Sequence, residues 1–206
     1  MSDQETGSPI RNIALLSASQ ALAGAGSSIL IAVAALTAAA MAPAQSLATL
    51  PVTLMIIGTA LATSPAAYLI HSWGRRQGFI FGAGISVPAA IAASVAAWLG
   101  NFWLFCAALA VFGASAAFAQ QYRFAAADSV PSQLKPRAIS WVLFGGVVAG
   151  FIGPPLAVLS KDWIPGATFA ATYLVMAALA VLSIGTLWFT RLAPTIRNPE
   201  EGCAPE

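Results

Sequence analysis

Charge is what this sequence lacks most. Only 8% of its 206 residues are Asp, Glu, Lys or Arg, and 59% are apolar, whereas water-soluble domains carry about 25% charged residues. A fold exposed to water on all sides is therefore excluded, and the composition predicts an integral membrane protein that lies in the lipid bilayer. The net charge of +2 is small and its carriers are dispersed, so we expect no nucleic-acid partner.

The residue types needed for catalysis and metal binding are also scarce. The two cysteines, Cys106 and Cys203, lie in an apolar run and in a polar tail, so they indicate neither a disulfide nor a metal site. The single histidine, His71, follows an apolar run, and no pair of carboxylates lies inside one. Intramembrane serine and aspartyl proteases need such groups at similar depth. We therefore expect neither enzymatic activity nor a cofactor.

Long uncharged runs indicate the number of membrane crossings. A crossing takes about 20 apolar residues, and one charge at its centre costs about 3 kcal/mol. The uncharged runs hold six crossings, numbered one to six: residues 12–38, 46–70, 77–98, 102–126, 138–159 and 167–190. Polar tails cover residues 1–11 and 191–206. The sequence predicts an all-α integral membrane protein with six transmembrane helices.

The basic residues predict how this bundle is oriented. An even number of crossings places both termini on one side, and the side richer in Lys and Arg is cytoplasmic. Only Lys161 falls on the opposite side. The basic residues on the terminal side are Arg11, Arg75, Arg76, Arg123, Lys135, Arg137, Arg191 and Arg197. Both tails are predicted to be cytoplasmic, and the alanine- and glycine-rich composition favours a bacterial inner membrane.

Three segments resemble signatures of the major facilitator superfamily of transporters. Residues 67–76 read AYLIHSWGRR and match the family's G-x-L-A-D-R-x-G-R-R at Leu69, Gly74, Arg75 and Arg76. Residues 128–138 (DSVPSQLKPRA) are similar to D-x-x-P-x-x-x-R-G-R-A, and residues 150–155 (GFIGPP) to part of G-x-x-x-G-P-x-x-G-G. The resemblance covers the first six helices of a twelve-helix family, and it implies an MFS-like half bundle.

The resemblance implies a cytoplasmic gate between crossings two and three and the connection into crossing five. In the family, opposite charges on these elements hold the cytoplasmic face closed and separate when the protein rocks. Asp128 is the acid here, with Arg75, Arg76 or Arg137 as partner. The predicted gate consists of His71, Gly74, Arg75, Arg76, Asp128 and Arg137. The arginine pair also has a purely topological interpretation, since it holds the turn inside.

His71 stands where the family has an aspartate, and two interpretations stay open. Loss of this acid would make the gate weaker or sensitive to pH. Alternatively, His71 is an interface histidine without a switching role.

Polar side chains at helical spacing in crossings one and four predict a solute site. Such residues mark the interior of a membrane bundle, and these two crossings line the central cavity in the family that the chain resembles. The candidates are Ser17, Gln20, Ser27, Gln120, Gln121 and Arg123. Arg123 would suit an anionic solute, or it reaches the interface or pairs with Asp128. The serines are also compatible with packing of small residues.

Crossing five carries a packing motif. Gly146 and Gly150 form a G-x-x-x-G, which allows close approach of another helix. Gly153, Pro154 and Pro155 follow, and the two prolines remove backbone donors and are expected to interrupt the helix.

The resemblance implies secondary active transport of a small solute by alternating access. The chain corresponds to one half of such a transporter, so we expect a second half, supplied by a homodimer or by a separately encoded six-helix chain. The alternative is a truncated or non-transporting six-helix membrane protein with a structural or regulatory role.

Overall fold

The computed structural model describes residues 9–190 apart from 129, 131 and 166. Its helices are α1 (Pro9–Met41), α2 (Leu50–Trp73), α3 (Arg75–Leu99), α4 (Phe102–Ala119), α5 (Tyr122–Asp128), α6 (Lys135–Ser160) and α7 (Ala170–Trp188). Short 3₁₀ turns lie at Gln45–Leu47 and Ser132–Leu134. In the described ranges there is no strand, and six helical segments are long and apolar enough to cross a membrane, α4 and α5 together forming the fourth. The predicted all-α fold with six crossings is confirmed.

The helices extend beyond some of the predicted crossings. Only Gly74 separates α2 from α3, so Arg75 and Arg76 lie in the first turn of α3 and not in a preceding loop. Gly74 has φ +88°, a conformation in which glycine avoids the steric cost of a Cβ atom. The predicted C-terminal tail, residues 191–206, and residues 1–8 of the N-terminal tail lie outside the described residues.

The helices pair in a pattern that repeats within the bundle. α1 packs along α6, α2 packs along α4, and α3 packs against both α4 and α7. α7 packs in turn against α1. Exchanging the first three crossings with the last three reproduces these pairs, as expected of two three-helix repeats within one half of a transporter. α1 and α4 therefore occupy equivalent positions.

Two glycine seams hold the most intimate of these pairs together. Between α2 and α4, a Cβ atom on Gly113 would lie 2.0 Å from the carbonyl oxygen of Met55, and one on Gly58 would lie 2.3 Å from that of Ala110. We call this the α2–α4 seam. Small residues let the backbones of two membrane helices come into direct contact, and dispersion forces between these backbone atoms then stabilise the pair.

The second seam joins α1 to α6. A Cβ atom on Gly145 would lie 2.4 Å from the carbonyl oxygen of Ser17, and one on Gly153 would lie 2.7 Å from the Cβ of Ser28. We call this the α1–α6 seam. Neither seam leaves room for a side chain larger than hydrogen at these glycines.

Buried hydrogen bonds fix α7 within the bundle. The Tyr173 hydroxyl donates to Thr37 Oγ1 of α1 at 3.0 Å, and Ser94 Oγ of α3 donates to the Ala170 carbonyl at 2.8 Å. Buried polar groups are tolerated when they are hydrogen-bonded. These bonds therefore orient α7 against α1 and α3.

Candidate functional site

A groove of about 570 Å³ lies between α1, α2 and α4. Three of the residues predicted from the sequence, Gln20, Ser27 and Gln120, line it. Its remaining lining residues are Ala23, Gly24, Met55, Ile56, Thr59, Ala60, Thr63, Ala116 and Ala119. The volume is in the range of small-molecule sites, about 300–1,000 Å³.

The polar atoms of the groove retain unused hydrogen-bonding capacity. The amides of Gln20 and Gln120 make no hydrogen bond to any described residue. Each amide offers two N–H donors and one carbonyl acceptor. The hydroxyls of Ser27 and Thr63 donate to the carbonyls four residues earlier, at 3.3 and 2.8 Å, and keep only their acceptor lone pairs. These groups together can bind a solute that both donates and accepts hydrogen bonds.

No charged residue from the described part of the chain lines this groove. All the described residues that line it are apolar or uncharged and polar. Without a fixed counter-charge, an ionised solute would meet the cost of leaving water without compensation. The lining therefore favours an uncharged polar solute.

The position of Gln120 follows from a break in the fourth crossing. α4 ends at Ala119 and α5 begins at Tyr122. The Gln121 N–H donates to the Phe118 carbonyl at 3.0 Å, a tighter turn than the α-helical pattern. This break leaves the Gln120 side chain exposed at the groove.

Thr59 and Thr63 of α2 are groove residues that the sequence analysis missed. They lie four residues apart and thus on one helix face, which is the signal that could have identified them. The single O–H of Thr59 is shared between the Met55 carbonyl at 3.0 Å and the Gly113 carbonyl at 2.9 Å. Thr59 therefore also ties the groove wall to the α2–α4 seam.

The other three predicted solute residues do not line the groove. Ser17 lies in a separate cleft between α1 and α6, beside Trp141 and Phe144. Arg123 lies in α5 with its guanidinium 4.9 Å from the ring centre of Phe124, and its Nε is buried without a hydrogen bond to a described residue. Gln121 is half-buried at the break between α4 and α5. The structure thus divides the predicted set in two.

A small internal cavity of about 30 Å³ lies directly behind the groove. It shares Ala23, Ser27, Ala116 and Ala119 with the groove wall. Hydroxyl-bearing residues line it: Ser27, Ser86, Ser115, Tyr122 and Ser183. The cavity has room for a water molecule with polar partners, so several hydroxyl groups lie behind the groove in a mainly apolar wall.

The two arginines at the start of α3 contact different elements. An Arg75 N–H group donates to Asp128 Oδ2 at the end of α5. The Lys135 ammonium lies 4.0 Å from Asp128 Oδ1. Arg75, Asp128 and Lys135 therefore join α3, α5 and α6 by charge. We call these three residues the charge cluster.

Arg76 points elsewhere. It donates from Nη2 to the Trp188 carbonyl at 2.7 Å, and its guanidinium lies 5.2 Å from the centre of the Trp188 ring. Arg137 is exposed and lines a cleft with Trp141. His71 is exposed at the end of α2, without a hydrogen bond or ion pair to a described residue. Of the predicted gate, the structure brings Arg75 and Asp128 together.

Of the three glycines in the motif predicted in crossing five, Gly153 lies at a close helix contact. A Cβ atom on Gly146 would lie 3.8 Å from Gln20 Nε2, and one on Gly150 would have no neighbouring atom within 4 Å. A further close approach occurs at Gly145, which is not part of the predicted motif. α6 stays helical through Pro154 and Pro155, which lie on an exposed face, so the interruption expected from the two prolines does not occur.

Comparison with known proteins agrees with the geometry. A family model described as Major Facilitator Superfamily matches residues 13–204. The riboflavin transporter RfnT of Brucella anthropi is 38% identical over 188 residues, which are 91% of this chain and 47% of that protein. An uncharacterized MFS-type transporter of Bacillus subtilis, YdeG, is 28% identical over 186 residues, 89% of this chain and 43% of that protein.

A second Bacillus subtilis protein, the uncharacterized MFS-type transporter YddS, is 30% identical over 146 residues, 71% of this chain and 34% of that protein. The chain spans about half the length, or less, of the curated relatives it matches.

Proposed function

The chain belongs to the major facilitator superfamily, and from this premise we propose that its groove binds an uncharged polar solute and carries it across the bacterial inner membrane. The protein is a multi-pass membrane protein of a transporter family. The groove between α1, α2 and α4 is the solute site, with Gln20, Ser27, Thr59, Thr63 and Gln120 as its polar residues.

The observation that carries this proposal is the pair of free amides in the groove. Gln20 and Gln120 each hold donors and an acceptor without a described partner. An amide removed from water without a hydrogen bond costs about 1–3 kcal/mol. A solute or water must therefore supply the bonds when the groove closes.

Riboflavin is the solute that we propose to test first. It is uncharged, and it carries imide, carbonyl and hydroxyl groups that complement amides and hydroxyls. Its flat ring system suits the apolar part of the lining, which includes Met55 and Ile56. The similarity to a riboflavin transporter over 91% of this chain supports the same choice.

We propose that transport proceeds by alternating access. The charge cluster lies at the end of the bundle that also carries Arg11, Arg76 and Arg137, which is the cytoplasmic end by the excess of basic residues. Opening toward the cytoplasm would separate α3 from α5 and break the bond between Arg75 and Asp128. The cluster thus acts as the cytoplasmic gate.

A second six-helix unit would close the groove on its open side. In this family the solute site lies between two such units, and the structure supplies one wall from α1, α2 and α4. In the most apolar window of α2 only 11% of residues are buried, which leaves most of that helix available for such contact. The second unit is another copy, a separate chain or a further part of a longer polypeptide.

Uptake of radiolabelled riboflavin tests the solute. The chain is expressed in a bacterium that lacks its own riboflavin uptake, and we expect accumulation above the empty-vector strain where a second copy of the chain forms the second unit. Gln20→Ala and Gln120→Ala should each lower uptake about tenfold, since each removes a hydrogen-bonding amide worth about 1.5 kcal/mol. Gln45→Ala, which removes an exposed amide outside the groove, is the matched control.

A binding measurement on purified protein tests the solute site independently of transport. Quenching of riboflavin fluorescence should report binding to the parent chain and to Gln45→Ala, and weaker binding to the groove variants. No binding by a folded parent chain that retains its second unit would exclude riboflavin. Binding without uptake would retain the site and reject transport by this chain alone, and native mass spectrometry would then show whether it is a monomer.

A further inference from the structure

A second cavity lies at the basic end of the bundle, separate from the groove. Its volume is about 520 Å³, and it lies between α1, α3 and the residues at the end of α7. Its lining residues are Arg11, Leu15, Arg76, Trp188, Phe189 and Thr190. None of them lines the groove. The transport proposal gives this cavity no role and uses its two arginines only to identify the cytoplasmic end.

Both guanidinium groups in this cavity have unused donors. Arg11 makes no hydrogen bond or ion pair to a described residue. Arg76 uses Nη2 on the Trp188 carbonyl. A guanidinium carries five N–H donors in a planar fork that matches phosphate oxygens. Two such groups facing one cavity can bind a phosphate from two sides.

No acid from the described ranges neutralises this pair. The described chain has two acids, Asp128 and Asp162. Asp128 is engaged by Arg75 and lies 4.0 Å from Lys135. Asp162 lies 3.7 Å from Lys161, in the connection that follows α6. Counted over the described residues, the cavity therefore carries an excess of positive charge.

Helix ends add to this charge. Arg11 lies in the first turn of α1 and Arg76 in the first turn of α3. The N-terminus of a helix carries a partial positive charge and unpaired N–H groups, both of which favour anions. The C-terminus of α7 opposes this effect, but Arg76 occupies its Trp188 carbonyl. Two favourable helix ends thus face one unfavourable end, whose Trp188 carbonyl is already hydrogen-bonded.

The surroundings indicate a lipid. Trp188 is 62% exposed and Phe189 is 70% exposed beside the cavity, and aromatic side chains concentrate at the level of lipid headgroups. Basic cavities between transmembrane helices on the cytoplasmic side bind anionic headgroups. We propose that the Arg11–Arg76 cavity binds the phosphate headgroup of an anionic phospholipid.

Native mass spectrometry of the full-length protein in detergent tests this site. Phosphatidylglycerol and phosphatidylcholine are titrated separately, and we expect phosphatidylglycerol to be retained at lower concentration. Arg11→Gln with Arg76→Gln should weaken phosphatidylglycerol binding on the order of tenfold. Arg137→Gln removes an exposed arginine outside the cavity and should retain the parent affinity for phosphatidylglycerol.

Two further variants distinguish lost binding from lost folding. Arg11→Gln alone breaks no bond within the described chain and should still weaken binding severalfold. Replacement of both residues by lysine keeps the charge and should restore most of the binding. Circular dichroism and gel filtration establish that each variant is folded. Equal binding of the two lipids, or equal losses in Arg137→Gln and the double variant, would overturn the proposal.

Competition with inorganic phosphate distinguishes a site for a lipid headgroup from a site for a free phosphate ion. The phosphate alone, added at millimolar concentration, should leave phosphatidylglycerol bound. Displacement by phosphate at such concentrations would identify a site for a free anion and overturn the assignment to a lipid.

Discussion

The seams and the groove are built from the same helices, but they depend on opposite kinds of residue. Along the α2–α4 seam, the backbones touch because Gly58 and Gly113 have no side chain, and the carbonyls of Ala110 and Met55 occupy the freed space. In the groove beside it, Gln20 and Gln120 project amides that nothing in the described chain satisfies. Packing here depends on missing side chains, whereas the proposed solute binding depends on side chains with unused hydrogen-bonding groups.

Because of this difference, packing residues and proposed binding residues occupy different positions of the same helix. α1 uses Ser17 and Ser28 against α6, and Gln20 and Ser27 toward the groove, whereas Gly24 lies at both. The seam positions tolerate no added volume, so substitutions there should lower stability. The groove positions have space around them, so substitutions there should alter solute binding without unfolding the protein.

Gly113→Val should have the largest effect. A Cβ atom on residue 113 would lie 2.0 Å from a backbone oxygen of α2, which cannot move aside as a flexible side chain could. Overpacking costs about 1–3 kcal/mol and occasionally more, so we expect a large loss of folded yield. Gly150→Val places the same side chain where no atom lies within 4 Å, and it should remain folded. Fluorescence-detected gel filtration after heating measures both.

Gly153→Ala should have the next largest effect on stability. Its Cβ atom would lie 2.7 Å from the Cβ of Ser28 and 3.1 Å from the Ala25 carbonyl, so α6 must move away from α1 at a cost of about 1–2 kcal/mol. Gly150→Ala, on the same helix, should raise the melting temperature slightly, because alanine favours helix by up to about 1 kcal/mol over glycine. Equal melting temperatures for the two variants would contradict the α1–α6 seam.

Two threonines of α2 separate stability from binding within one helix. Thr59→Val removes a hydroxyl that donates to the Gly113 carbonyl across the seam, and should cost about 1 kcal/mol of stability. Thr63→Val removes a hydroxyl bonded only within α2, and should leave the melting temperature unchanged while lowering riboflavin affinity a few-fold. The reverse order of effects would show that the seam does not extend to Thr59.

The charge cluster should give the smallest effect on stability. Arg75→Gln and Asp128→Asn, alone and together, form a double-mutant cycle, and their coupling should be below about 1 kcal/mol because half of the Asp128 side chain is exposed. Arg76→Gln with Asp128→Asn is the matched cycle and should show no coupling, since Arg76 contacts Trp188. Coupling of both arginines to Asp128 would contradict the finding that Arg75 contacts Asp128 while Arg76 contacts Trp188.

Part of the site could be predicted from the sequence. Gln20, Ser27 and Gln120 are polar residues inside apolar runs, and this contrast is sufficient to predict an inward position. Ser17 and Arg123 carry the same signal but lie elsewhere, because spacing along one helix assigns a shared face without identifying which neighbour covers it. Thr59 and Thr63 have small side chains that give a weaker contrast, and only the packing of α2 along α4 brings them to the groove.

The sequence by itself determined the number of membrane crossings and the family. The length of an apolar run and the cost of a charge within it are local properties, so they act wherever the segment lies in the bundle. Tertiary structure decided that Gly145 and Gly153 meet α1 while Gly150 meets nothing, and that Arg75 binds Asp128 while Arg76 binds the end of α7. Those outcomes depend on the relative rotation and depth of helices far apart in the chain, and adjacent residues on one helix differ in direction by about 100°.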